Sequence, residues 1–237
     1  SGNNNTAVGY ASLQTVDGAG NTAVGSSALN ADCVSSNTAM GYAALNVFTG
    51  SYATAVGSNA ADAATSAANL TAVGVGALGA CEDGASNTAV GASALAGTDD
   101  GDYNTSVGVA ALAANCADDN TAVGSSALIA FTGSDATAIG SGAADVAVGQ
   151  TNLTAVGKNA LGAATSGNSN TAVGADSLQT VDGGANTAVG ANALNADCVD
   201  YNAALGFNAL KVFTGSNATA VGSGAADALT GASSPNG

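Results

Sequence analysis

The chain has 237 residues; 46% are hydrophobic, most of these Ala, and Gly is abundant at 34 while Trp and His are absent. Side chains this small cannot fill a thick globular core, and a charged fraction of 8% with periodic apolar positions excludes a disordered chain. The net charge of −15, with only Lys158 and Lys211 basic, excludes nucleic-acid binding and disfavours anionic membranes, and no run of 18 apolar residues supplies a membrane span.

From the first residues onward the chain repeats Asn-Thr-Ala-Val-Gly or a near copy, every 16 or 17 residues. The Thr position falls at Thr6, Thr22, Thr38, Thr54, Thr71, Thr88, Thr105, Thr121, Thr137, Thr154, Thr171, Thr187, Ala203 and Thr219. A short fixed period predicts a solenoid, in which each repeat is one coil that cannot bury its apolar face alone. The expected fold class is therefore all-β: a parallel β-solenoid, or β-roll, of fourteen 16–17-residue coils.

Counting Thr as position zero, +2 is aliphatic or Met, +3 is Gly in every coil from Gly9 to Gly222, and +6 is Ala or Ser. Position +7 is Leu except at Ala61, Ala144 and Ala226. This reads as a short strand, a tight bend and a second short strand, closed by polar connectors such as Asp17-Gly18 and Asp182-Gly183. Side chains alternate between faces along a strand, so Thr and Val share one side and Ala and Gly the other. Burying a Val or Leu is worth roughly 1.5–3 kcal/mol, far more than burying Ala. The preferred expectation is therefore that Val and the +7 Leu point inward, leaving a flat outer face of Ala and Gly for close approach of another chain; the alternative is that Ala and Gly point inward around a thinner core, with the Thr–Val face outside. The Thr rank is expected to form a structural ladder, with hydroxyls bonding along the stack.

A longer period lies above the coil. Phe-Thr-Gly recurs at Phe48, Phe131 and Phe213, spaced by 83 and 82 residues, and Cys33, Cys116 and Cys198 keep the same spacing. The chain thus reads as a single solenoid domain of three cassettes, 1–83, 84–166 and 167–237, of which the third lacks its fifth coil. Either cassette duplication or a spacing within an assembly accounts for the period.

The unit Asn-Thr-Ala-Val-Gly-x-x-Ala-Leu resembles repeats of phage-type tail-fibre and bacterial surface proteins. It is also similar to the head repeats of trimeric autotransporter adhesins, whose Asn-x-Val-Ala-Ile-Gly-like core compares with Ala136-Thr137-Ala138-Ile139-Gly140 here. The resemblance covers essentially the whole chain. It implies a left-handed parallel β-roll, homotrimeric, in an extended structural or adhesive fibre on a cell or virion surface.

Candidate sites are few. Asp100, Asp102, Asp118 and Asp119 are candidate Ca²⁺ ligands, since Asp102 and Asp118 occupy matching coil positions and a hard cation relieves stacked carboxylates; a solvated acidic rim is the alternative. No other cofactor is expected. Cys33, Cys116 and Cys198 lie five coils apart, about 24 Å at the usual strand spacing. A disulfide needs Cα atoms within about 7 Å, which leaves buried single thiols or bonds between protomers. Sequons at Asn4, Asn69, Asn152 and Asn217 arise readily in an Asn/Thr repeat. With no His and no Ser-, Cys- or Lys-based constellation, the chain is expected not to be an enzyme.

The expected function is a structural segment of an extracellular fibre, a homo-oligomer assembled as a trimeric rod or a head-to-tail filament. The alternative is a surface binder: an adhesin whose host ligand the residues do not name, or an ice-binding protein using the Thr ladder.

Overall fold

The computed structural model describes residues 2–15 and 17–230. It divides into two compact units, Ser1–Asp119 and Asn120–Gly237. The boundary falls inside the second sequence cassette, so the longer repeat does not mark the units.

Every coil carries one three-residue strand. The first unit holds β1 (Thr6–Val8), β2 (Thr22–Val24), β3 (Thr38–Met40), β4 (Thr54–Val56), β5 (Thr71–Val73), β6 (Thr88–Val90) and β7 (Thr105–Val107). The second holds β8 (Thr121–Val123), β9 (Thr137–Ile139), β10 (Thr154–Val156), β11 (Thr171–Val173), β12 (Thr187–Val189), β13 (Ala203–Leu205) and β14 (Thr219–Val221). Within each unit the strands stack in chain order, parallel and in full register, Thr on Thr and Ala on Ala. The parallel β-solenoid expected from the period is the fold, and no helix occurs among the described residues.

The second strand per coil does not form. Positions +4 to +7 are turn in every coil instead, extending to +9 in most. Both +5 and +7 adopt left-handed backbone even where they are not Gly, as at Ser27 (φ 58) and Leu29 (φ 49), or Ser93 (φ 54) and Leu95 (φ 52). Left-handed residues cannot continue a strand, and each costs roughly 1–2 kcal/mol. The hydrogen bonds they place offset that cost. Gly25 donates to the Val8 carbonyl of the preceding coil at 2.8 Å and Ser27 to that of Tyr10 at 2.8 Å, while Leu29 donates forward to Ala44 at 2.9 Å. Each bend is thus hydrogen-bonded to both neighbouring coils.

The inward side of the strand is the reverse of the expectation. Ala at +1 points in and is fully buried from Ala23 and Ala39 to Ala172 and Ala188, whereas Val90 is 36% exposed and Ile139 43%. Only in β1 are all three residues exposed. The +7 Leu is buried as expected, and it explains the reversal. Leu29, Leu45, Leu95 and Leu128, with Ala at +6, already fill the space across the coil. The strand wall opposite then has room for a methyl group and no more.

A third buried column completes the core, at the residue before Thr. Asn21 and Asn37 occupy it in the second and third coils, with Asn5 exposed at the same position in the first; Ala53 and Leu70 follow in the next two, and the pattern restarts at Asn87. In the first unit, Asn21 Oδ1 accepts the N–H of Asn37 at 2.9 Å, and Asn37 Oδ1 accepts that of Ala53 at 2.9 Å. Their Nδ2 groups donate to the Val34 and Gly50 carbonyls. In the second unit, Asn170, Asn186 and Asn202 hand the same bond along to Ala218. The five-coil cassette is therefore a core-filling period: three amide coils, then two apolar ones. Phe48, Phe131 and Phe213, all fully buried, sit where the column changes. The Gly of Phe-Thr-Gly is required because a Cβ on Gly50, Gly133 or Gly215 would strike the adjacent Phe ring.

Candidate functional site

With Ala turned inward, the outer surface of the strands consists of two parallel ranks, Thr at zero and Val, Met, Ile or Leu at +2. None of the 17 acidic residues occupies a strand. The aliphatic rank is open to solvent, with Met40, Val107 and Leu205 among its exposed members. Beyond the +3 bend, position +4 adds Tyr10, Tyr42, Val75, Val109 and Phe207, all exposed. Each unit thus presents strands without charge, hydroxyl-bearing along one line and apolar along the next, with the exposed Lys158 beside them at +4 of the tenth coil.

The sharp turn that ends each strand of this face depends on the +3 Gly. At Gly25, Gly41, Gly74 and Gly91 φ is between +136 and +142, a region closed to L side chains. A Cβ there would also collide with the carbonyl of the corresponding Gly one coil on. The chain therefore turns sharply after Val and leaves the face without an obstruction.

The Thr rank stands in register as expected, but it is not the hydrogen-bonded ladder. Among the described residues, side-chain bonds between coils come from the buried asparagines, from connector aspartates, and from connector threonines such as Thr49, Thr65 and Thr180. The strand threonines contribute none, so their hydroxyls are directed to solvent. The structural ladder is the Asn column. Its sequence signal was present, as Asn precedes Thr in three coils out of each five, but a polar residue beside a strand reads as a connector unless the geometry of the coil is known.

The acidic candidates have structural work. Asp102 accepts the N–H of Ala85 at 2.6 Å, and Asp118 accepts that of Asp102 at 2.9 Å. Stacked carboxylates here cap backbone donors of the preceding coil. Asp100 and Asp119 are exposed. Among the described residues no group of three His, Cys, Asp or Glu is placed to hold a metal ion. A hollow of about 400 Å³ lined by Asp182, Asp197 and Asp200 follows the same rule. Asp197 and Asp200 accept from the backbone N–H groups of Asp182 and Gly184, and Asp182 from Thr165.

The cysteines do not reach the surface. Cys33, Cys81, Cys116 and Cys198 are free and buried. Burial raises the Cys33 thiol above its ordinary range and pushes Cys81 and Cys198 up to about 11. Cys81 Sγ donates to the Gly84 carbonyl at 3.2 Å, and Thr98 shares a hydrogen bond with Cys116. Disulfides between protomers through Cys33, Cys116 or Cys198 are incompatible with these positions: the thiols fill the core column at the connector side.

No protein-family model and no curated protein sequence matches this chain.

Proposed function

We propose that this chain is a non-enzymatic structural protein, a segment of an extracellular fibre on a cell or virion surface, that self-associates through its Thr–Val face. The observation that carries the reading is the aliphatic rank at +2, half-buried to exposed in every coil of each unit and bordered at +4 by the exposed Tyr10, Tyr42 and Phe207. Contiguous exposed apolar surface of this kind marks an interaction site. The charge distribution points the same way, since a chain of net charge −15 meets a like chain at least cost along a surface without carboxylates. The resemblance to fibre repeats supplies the setting.

Sedimentation of the whole chain tests this. Assemblies larger than 21.8 kDa are expected, and Val90→Asp with Ile139→Asp should return the chain to monomers without changing its circular dichroism. A wild-type chain that stays monomeric at every concentration would sink the proposal.

A second reading has its own observation. Unbonded Thr hydroxyls repeated about every 4.8 Å along a flat parallel sheet, beside a line of methyl groups, form a surface suited to ordering water as an ice lattice does. Thermal hysteresis that disappears in Thr88→Tyr with Thr105→Tyr would establish it, and no hysteresis at high protein concentration would remove it.

A further inference from the structure

Asp-Gly occurs four times in the connectors, at Asp17-Gly18, Asp83-Gly84, Asp100-Gly101 and Asp182-Gly183, each Asp five residues before a strand Thr. Such a pair can react with itself. Gly has no side chain to screen its backbone nitrogen, which can attack the carboxyl carbon of the Asp before it. The reaction needs the protonated carboxyl, whose OH leaves as water. Whatever holds the carboxylate ionised and in place therefore slows it.

Three of the four pairs are held in this way. Thr65 and Ser66 both donate their hydroxyls to Asp83 Oδ1 at 2.8 Å. Thr165 donates its hydroxyl to Asp182 Oδ1 at 2.6 Å and its N–H at 3.1 Å. Hydrogen bonds from Ser66 and Thr65 lower the Asp83 carboxyl below its usual range, those from Thr165 lower Asp182, and hydrogen bonding lowers Asp17 as well. Each clamp is a Thr-Ser pair at one and the same place of the preceding coil. Ahead of Asp100 that place holds Glu82 and Asp83, which as carboxylates have no proton to donate. Asp100 is accordingly exposed, and its carboxyl takes no hydrogen bond among the described residues. The Gly84 N–H is committed to the Asp99 carbonyl at 3.2 Å, whereas the Gly101 N–H donates no hydrogen bond among the described residues.

We propose that Asp100-Gly101 is a site of spontaneous modification, at which the folded chain converts aspartate to isoaspartate ahead of its other Asp-Gly pairs. The Gly101 nitrogen bonds to Asp100 Cγ, and its proton leaves with the carboxyl OH as water, closing a succinimide ring. Water then adds to the main-chain carbonyl carbon of Asp100, and the bond from that carbon to the Gly101 nitrogen breaks. The chain now runs through the Asp100 side chain, one methylene longer, and the former peptide carbonyl is a free carboxylate. One water is released and one consumed. The fold registers the change, because the Gly101 carbonyl accepts Asn87 Nδ2 in the buried Asn column. An added methylene displaces that carbonyl, so isomerised chains should unfold at lower urea.

Peptide mapping that separates isoaspartyl from aspartyl peptides tests this, after incubation of the whole chain at mildly acidic pH. Isoaspartate should accumulate at Asp100 several-fold faster than at Asp17, Asp83 or Asp182. In guanidinium chloride, where the hydroxyl clamps are gone, the four rates should converge. Glu82→Thr with Asp83→Ser builds a clamp ahead of Asp100 and should slow its isomerisation to the rate at Asp182. Thr165→Val with Ser166→Ala should speed that of Asp182, and circular dichroism checks that both variants are folded. A native chain whose four pairs react alike, or in which another pair leads, overturns the proposal. So does a lead of Asp100 that survives unfolding, since it would then belong to the local sequence and not to the fold.

Discussion

At the scale of single residues, the buried Asn side chains serve the backbone of neighbouring coils. Asn37 satisfies the buried N–H of Ala53 and the carbonyl of Gly50 at once. Leaving a buried group unpaired costs about 1–3 kcal/mol, so Asn37→Ala should lower the free energy of unfolding in urea by at least about that amount. Gln150 is the converse case. It is buried with neither amide atom paired, at the position where the preceding cassette has Ala67. Replacement by an apolar group of the same shape removes that penalty, and Gln150→Met is expected to raise the urea midpoint.

The thiols give the protein an alkaline limit. Burial raises Cys81 and Cys198 to about 11, above the roughly 8.5 of a free thiol. The folded state therefore holds these protons more tightly than the unfolded state. Their contribution is fully present below the ordinary thiol range and is lost as pH climbs from there to about 11. Unfolding midpoints should fall across that window, and Cys81→Ala with Cys198→Ala should flatten the decline. Native chains should resist alkylation at pH 8 and react only once unfolded.

At the scale of the element, strand and bend divide the work unequally. The three-residue strand contributes register and the outer face, but inward only an Ala methyl. The left-handed bend contributes the Leu that fills the coil. Leu95→Ala should thus cost about 2–5 kcal/mol, as large-to-small core changes do, while Val90→Ala, which trims an outward side chain, should change the stability of the free chain by about 0.5 kcal/mol or less. A reversed ranking of these two variants in chemical denaturation would contradict the inside-out assignment. Gly91→Ala should be worse than either for its size, because φ there is +138 and the added methyl meets the Gly108 carbonyl.

How much of this the sequence showed differs between elements. The strand positions, the parallel register and the +3 Gly follow from the repeat. The bend did not, because Ser27 and Leu29 carry no sign of left-handed backbone; it is imposed by hydrogen bonds to coils 16 residues before and after. The Asn column was visible as letters, but its role was not. The thiols stayed ambiguous between core and interface until their burial decided for the core.

At the scale of the whole molecule, two seven-stranded units repeat one construction, each with a neutral Thr–Val face and its carboxylates on bends and connectors. Segregation of this kind leaves each unit a surface on which the self-association proposed above would meet no carboxylate. Added salt should therefore strengthen self-association of the wild type, by screening the connectors without weakening an apolar contact. Sedimentation at low and high ionic strength reads this directly, and dissociation by salt would point to charge-paired contacts instead.

The sequence by itself determined that the chain is built of fourteen parallel coils, because a period of 16–17 residues has no other way to bury its apolar positions. It also determined that the surface has only Lys158 and Lys211 to set against 17 acidic residues, and that every coil must turn at Gly. Which side of Thr-Ala-Val faces solvent was decided only by the tertiary structure. Alternation fixes that Thr and Val share a side without saying which side it is, and the gain from burying Val counts only where there is room. Leu from the left-handed bend had already taken that room, so Ala went in and Thr and Val were left outside as the face.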